Sequence, residues 1–346
     1  MRHLRWLRRV GVLAAVAALA ACGGTSSTSA GMTSAGSTSA GAASAGSSSS
    51  GAAAGGPAKK VAVGVIPIID VAPLYLGVQK GIFTKHGLDV TPKPAQGGAA
   101  IVPAVLAGED QFGFSNVVSL LTAREKGVPL LAIAAGSSST GDATNDVNAV
   151  LVGKGSTLQS AKDLAGKKVA INSLNNIGDT TIKAAVEKAG GDPKSVKFVE
   201  LPFPDMPAQL AAGKVDAVWE SEPFRSAILG AGGRVLFDNL TETYPKLQIA
   251  TYFTSEAVKA KDPQLVDNFV AAVNESMEYA TAHPDEARAV LATYTKITGD
   301  VANKVVLPAW PTELDQQSAT AIGQAAQKYG TLKKDPDVKG LYAVKG

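Results

Sequence analysis

From Lys59 onward, short Val- and Ile-rich runs alternate with stretches whose apolar residues recur at helical spacing. The runs predict strands at 61–66, 88–92, 111–114, 130–134, 149–152, 168–171, 196–201, 216–219 and 234–237. Helices are predicted between most of them, for example over 72–80, 99–107 and 180–188. Such alternation predicts an α/β fold with mainly parallel sheets flanked by helices. Farther along, Leu265, Val266, Phe269, Val270, Val273 and Met277 form one helical stripe. Pro284 opens a second helix, and 312–329 reads as a third. These stripes are core-packing faces and carry no chemistry of their own.

The pattern repeats once. Gly108 follows Ile66 by 42 residues, and Gly213 follows Ile171 by the same 42. The two units, offset by 105 residues, each end a helix at a glycine suited to the left-handed C-cap, then begin a short strand. Two similar lobes are the reading; a chance match of Ala/Gly words is the competing one.

In open parallel sheets, ligands bind beyond the carboxyl ends of the strands. Applied to both lobes, that rule selects the loops 67–73, 115–116, 172–179 and 220–223. The candidate ligand-binding residues are Asp70, Ala72, Ser115, Asn116, Asn172, Asn175, Gly178, Asp179, Trp219, Glu220 and Glu222. Helices begin just after Ala72, Ser115 and Gly178, and helix N-termini offer free N–H groups to an electronegative ligand atom. Ser, Asn and Asp are also ordinary N-caps, so the case rests on the set converging on one cleft. Two features disagree about the ligand. Helix N-termini and Asn/Ser loops favour an oxyanion, whereas Glu220 and Glu222 would repel one. Trp219 beside carboxylates suits a nitrogen-containing ring. Arg225 could neutralise one acid or bind an anion itself. A plainer reading has Trp219 ending a core strand and Glu222 capping the next helix.

The first sixty residues change the picture of where this body works. Arg2, Arg5, Arg8 and Arg9 precede an uninterrupted run of Gly, Ala, Val and Leu over 10–21. As a helix that run rises about 18 Å, too short to cross a membrane, so 1–21 is expected to be an export signal. Residues 19–23, Leu-Ala-Ala-Cys-Gly, resemble a lipobox, and Cys22 is the only cysteine among 346 residues. Lipid attachment at Cys22 is the expectation; ordinary cleavage after Ala20 is the alternative. Removing the leader takes the balance of 33 basic against 30 acidic residues to 29 against 30, which argues against a nucleic-acid partner. Residues 22–58 read as a tether, because Gly23 to Ala58 holds almost only Gly, Ala, Ser and Thr and cannot offset the entropy of ordering. As a coil it spans about 30 to 36 Å.

Several segments carry a family resemblance. They are Val-Gly-Val-Ile-Pro at 63–67, 72–77, 81–90 from Gly81-Ile82-Phe83 to Asp89-Val90, 160–170 with Asp163-Leu164-Ala165-Gly166-Lys167-Lys168, 210–217, and Glu222-Pro223-Phe224. Together they resemble the nitrate/sulfonate/taurine/thiamine-precursor group of ABC-transporter substrate-binding proteins, over nearly all of 59–308. The resemblance implies a two-lobed, type II periplasmic-binding-protein fold, with crossovers near 152–154 and 241–252. Lobe one would cover 59–152 and lobe two 153–249, with 250–346 returning to lobe one and adding the C-terminal helices. It also implies closure on a small-molecule ligand, docking on ABC permease subunits, and a lipid-anchored monomer on the extracytoplasmic face of the cell membrane. No cofactor or metal is expected. A ligand-sensing extracellular domain is one alternative. An enzyme of the same fold is another, although the body has no cysteine, and His86 and His283 fall outside the cleft loops.

Overall fold

The computed structural model describes residues 57–343; Cys22 and nearly all of the tether lie outside them. Ten strands follow in chain order: β1 (Lys59–Val65), β2 (Leu88–Pro94), β3 (Phe112–Asn116), β4 (Leu130–Ser138), β5 (Asn148–Val152), β6 (Lys168–Ile171), β7 (Lys197–Glu200), β8 (Ala217–Ser221), β9 (Arg234–Phe237) and β10 (Gln248–Ser255). They form two five-stranded sheets with orders β2-β1-β3-β10-β4 and β7-β6-β8-β5-β9. In each sheet the first three strands run parallel, and the fourth is antiparallel to both neighbours. The fold is thus α/β with two mainly parallel sheets, as expected.

The repeat read from the sequence is a structural one. β3 and β8 stand 105 residues apart at both ends, and the glycines preceding them, Gly108 and Gly213, are left-handed with φ of 76° and 64°. Only glycine takes that conformation at little cost, so each helix stops there and the chain turns into the central strand.

The antiparallel strand of each sheet is the one that arrives from the other lobe. The chain leaves lobe one after β4 and enters lobe two with β5, through 139–147. It leaves after β9 and returns with β10, through 238–247. The first crossover therefore precedes the expected 152–154, and β5, assigned by sequence to lobe one, pairs with β8 and β9 in lobe two. The expected return over 241–252 overlaps β10, which is not predicted as a strand and which from Gln248 onward already lies in the first sheet.

The C-terminal helices complete lobe one. In the helix Pro263–Ala282 the predicted stripe is buried, with Val270 at its margin. Phe269 stacks on Phe112 of β3 at 3.8 Å between ring centres and meets Tyr252 edge-on at 5.8 Å. Burying such a ring contributes about 1.5–3 kcal/mol, which docks this helix on the first sheet. Among the described residues, no helix is long and apolar enough to cross a membrane.

Candidate functional site

Strand ends from both sheets meet across one cleft. Its inner part is a cavity of about 20 Å³, walled by Ile66, Ile68, Asp70, Phe114 and Asn116 of lobe one and by Asn148, Asn172, Ile177, Phe203 and Trp219 of lobe two. Ile249 and Ala250 of the returning β10 complete the wall. An adjoining hollow of about 290 Å³ shares Ile66, Ile68 and Phe203 and adds Pro67, Pro94, Pro202 and Pro204. The inner end is mostly apolar with four polar side chains, Asp70, Asn116, Asn148 and Asn172, set among it, the mouth is apolar, and the lobes are drawn together across the cleft. Gln96 Nε2 donates to the Asn172 carbonyl at 3.3 Å, and Ile69 N–H donates to the Glu222 carbonyl at 3.0 Å.

Of the residues selected from sequence, Asp70, Asn116, Asn172 and Trp219 line this cavity. Asp70 is buried and accepts hydroxyl protons from Ser137 of lobe one and from Ser221 of lobe two, the latter at 3.3 Å. Burial outweighs these bonds and pushes its carboxyl up to about 6. Asn116 N-caps the helix Val117–Glu125, accepting from Ser119 N–H at 3.0 Å. Asn172 accepts from Asn176 Nδ2 at 3.0 Å, which fixes its amide with the Nδ2 end free. Trp219 donates its indole N–H to Asn239 at 3.1 Å. Gly178 lies against the Trp219 ring, where a Cβ would stand 2.6 Å from it, so the glycine is needed for this close approach.

The other candidates do not line the cavity. Ala72 is buried and gives its N–H to the Ile69 carbonyl. Ser115 donates to the Asn116 carbonyl at 3.2 Å beneath Gly98. Asn175 is an exposed turn residue in the left-handed region, φ 55°. Asp179 closes a capping box with Asn176 and pairs with Lys183 at 3.4 Å, while burial raises its carboxyl. The Gly178 and Asp179 N–H groups at the start of the helix Ile177–Lys188 are thus already held by the Asn176 side chain, which weakens the case for an oxyanion at this helix terminus.

Glu220 and Glu222 do not line the cavity either. Strand side chains alternate between faces, so with Trp219 in the cleft Glu220 points to the other side of the sheet. It is fully buried there, neither carboxylate oxygen has a hydrogen-bond partner among the described residues, and burial holds it well above the carboxylate range. Glu222 is also fully buried. It accepts from Arg225 Nη1 at 3.1 Å, Ser226 N–H at 3.0 Å, Ser226 Oγ at 2.8 Å and Val306 N–H at 3.3 Å. Burial raises its carboxyl while these donors pull the other way. Neither acid is positioned to repel a ligand.

Sequence reasoning missed Asn148, Phe203, the loop 94–97 and β10. The strand-end rule applied to β2 and β7 would have selected the loop and Phe203. The Gly97-Gly98 pair was a further signal of close backbone approach.

Buried carboxylates set a pH dependence. Asp70 titrates at about 6 and Asp238, raised by burial and by the neighbouring charge of Asp146, at about 7. Between the ordinary carboxylate value and about 7, the folded protein keeps protons that the unfolded chain has released, so stability falls as pH rises through that window. Above it these two contribute no further change. The melting temperature is expected to drop from pH 5 to pH 7.5, and Asp238→Asn should flatten that slope in a pH series of melting curves.

A curated relative from Brucella abortus (strain 2308), described as a binding protein, is 25% identical over 264 residues, covering 76% of each chain. A Haemophilus influenzae (strain Rd) protein described as a thiamine biosynthesis protein is 27% identical over 279 residues, 77% of this chain and 85% of that one. Among solved structures, the alkanesulfonate-binding protein SsuA of Xanthomonas axonopodis pv. citri, bound to MOPS, superposes with a TM-score of 0.70 at 18% identity. The match covers 83% of this chain and 98% of that one. The fold is that of the periplasmic binding proteins. A family model described as NMT1/THI5 like matches residues 68–287, and the chain belongs to the NMT1/THI5-like family.

Proposed function

We propose that this chain is an extracytoplasmic solute-binding protein that closes its two lobes on a small polar organic molecule or an oxyanion and hands it to an ABC-type permease. One observation carries the reading: a single cavity is walled by strand ends of both lobes and by the returning strand between them. A ligand there touches both lobes only when they are closed, so binding and closure are one equilibrium. The likeness to an alkanesulfonate-binding protein and to a curated binding protein supports capture as the activity. The proposal involves no covalent step. Lipid attachment at Cys22 would keep the body at the membrane, where a permease lies.

The test combines a thermal-shift screen of small solutes with small-angle scattering. A true ligand raises the melting temperature and does not enlarge the radius of gyration. A ligand saturating at 100 times its Kd stabilises by about 2.7 kcal/mol, readily seen as a shift. If no small solute shifts the melt, the proposal fails. A sensing role would keep the shift and be recognised by capture of a membrane receptor in place of a permease.

A further inference from the structure

Among the described residues that wall the inner cavity, Asp70 is the only ionisable one. It lies on the short helical turn Ile69–Val71 of lobe one and is 1% exposed. Its two oxygens look to different lobes. Oδ1 accepts from Ser137 Oγ on β4 of the same lobe, and Oδ2 from Ser221 Oγ on β8 of lobe two at 3.3 Å. The facing wall, Asn148, Asn172, Ile177, Phe203 and Trp219, also belongs to lobe two. Swinging that lobe away breaks the Ser221 bond and lets water reach Oδ2, while the Ser137 bond can survive.

No cation offsets the charge of this carboxylate. Besides the two serines, the Trp310 indole N–H bonds its backbone carbonyl at 3.0 Å. Tyr252 and Tyr294 lie within electrostatic reach of it, and Tyr75 stacks on Tyr294 at 3.9 Å. Burial raises all three phenols, so they stay neutral at the pH values where a carboxyl titrates. From the first crossover Asp146 adds a like charge, its own carboxylate held by Ser139 Oγ and the Thr140 and Val147 N–H groups. From lobe two, Glu222 turns only its backbone carbonyl to Ile69, its carboxylate being taken by Arg225 at 3.1 Å. A carboxyl enclosed by hydroxyls, rings and a second acid favours its neutral form.

We infer that closing the lobes loads a proton from solvent onto Asp70, which makes the cleft a latch that shuts more firmly in acid. This rests on the solute-binding reading above and gives the same site a regulator, the pH of the surrounding medium. With the lobes shut, burial pushes the carboxyl up to about 6; hydrated in the open form, it returns toward its ordinary 3.8. The shut form therefore gains most below the open-form value and loses that gain as pH rises through about 6. Between pH 5 and 7.5 the ratio of closed to open protein should fall about tenfold. The apparent affinity for a solute that binds only the closed form falls with it.

The test reads lobe separation with no ligand present. Cys22 is the only cysteine, so a Cys22→Ser background accepts two dyes, at Lys126→Cys on lobe one and Lys214→Cys on lobe two, both exposed. Single-molecule energy transfer is followed from pH 5 to 7.5 in that parent and with Asp70→Asn, Ser137→Ala or Asp238→Asn added. Each variant is first checked for a cooperative melt, and the parent profile needs none of them. The parent should shift about tenfold toward the open form. Asp70→Asn, shaped like the protonated acid, should lose the dependence. Ser137→Ala removes a donor that favours the carboxylate, so its midpoint should move to higher pH, which a merely structural contact would not cause. Asp238→Asn, in the return crossover, should keep the slope. A flat parent profile overturns the proposal, and so does a slope that survives Asp70→Asn or vanishes only with Asp238→Asn. None of these results touches the solute-binding reading, which fails separately if no small solute shifts the melt.

Discussion

Gly97→Val is expected to weaken ligand binding by about five- to a hundredfold while leaving the melting temperature of the unliganded protein within a degree or two. Gly97 precedes the helix Gly98–Ala107 with φ −169°, an extended conformation open to any residue, so the substitution carries no backbone strain. A Cβ there would lie 2.5 Å from Ser173 Oγ and 3.2 Å from Asn172 Nδ2, and its three nearest atoms all belong to lobe two. The clash arises only when the lobes are shut. Overpacking of a tight contact costs about 1–3 kcal/mol, and here that cost falls on the closed state alone. Apparent affinity drops in proportion to the lost population of the binding-competent form. Gly97→Ala should be milder, because Ser173 can rotate away from one methyl group. The check is a ligand titration beside a melting curve. A large drop in melting temperature with affinity intact would show that Gly97 serves the fold and not closure.

The contrast with Gly178 is instructive. Its hypothetical Cβ meets the Trp219 ring within the same lobe, so a side chain there disturbs folded lobe two whether the cleft is open or shut. Two glycines at the same cleft thus separate closure from local packing.

Much of this fold was legible because its signals are local. Strands such as β6 and β9 are short Val/Ile/Leu runs between turn residues, and the helix Ala72–Gln79 opens with Pro73 at its start. The 105-residue echo could be read because each unit repeats the same helix stop, Gly108 or Gly213, before a central strand. β10 was not legible. Its eight residues are all buried, so the alternation that marks a half-exposed strand is absent. Its partners β3 and β4 lie more than a hundred residues upstream. The first crossover was misplaced for a related reason: β4 and β5 are both fully buried, and nothing local tells which sheet a buried strand will join.

The site was half legible. Polar residues at strand ends, Asp70, Asn116 and Asn172, reach the cavity because the strand-end rule is a rule of topology. Trp219 and Glu220 could not both point into one cleft, since neighbours on a strand face opposite ways, and that period-two constraint was available from the sequence. Asn148 was hidden at the first position of a strand expected to begin one residue later.

Glu222→Ala is expected to cost about 3 kcal/mol of stability while leaving ligand affinity of the folded protein within a few-fold. Removing one member of a buried ion pair strands its partner, and Arg225 is only 5% exposed, with Nε already lacking an acceptor among the described residues. The usual range for such a loss is about 3–5 kcal/mol. The lower end applies because Arg225 also borders a hollow with Asn145 and Lys304, through which water can approach the guanidinium. For a body of this size the melting temperature should fall by roughly 6–12 °C. Four donors lose their acceptor together, including the Val306 N–H that joins the C-terminal segment to lobe two. The backbone carbonyl of residue 222 survives the substitution and still receives Ile69 N–H across the lobes, so the closing contact remains. Glu222→Gln should recover part of the loss, as its amide oxygen can still accept from Arg225 or Ser226 without the charge. Melting curves and a ligand titration on both variants separate the roles. Preserved stability with binding abolished would return this carboxylate to the cleft, from which its ion pair with Arg225 excludes it.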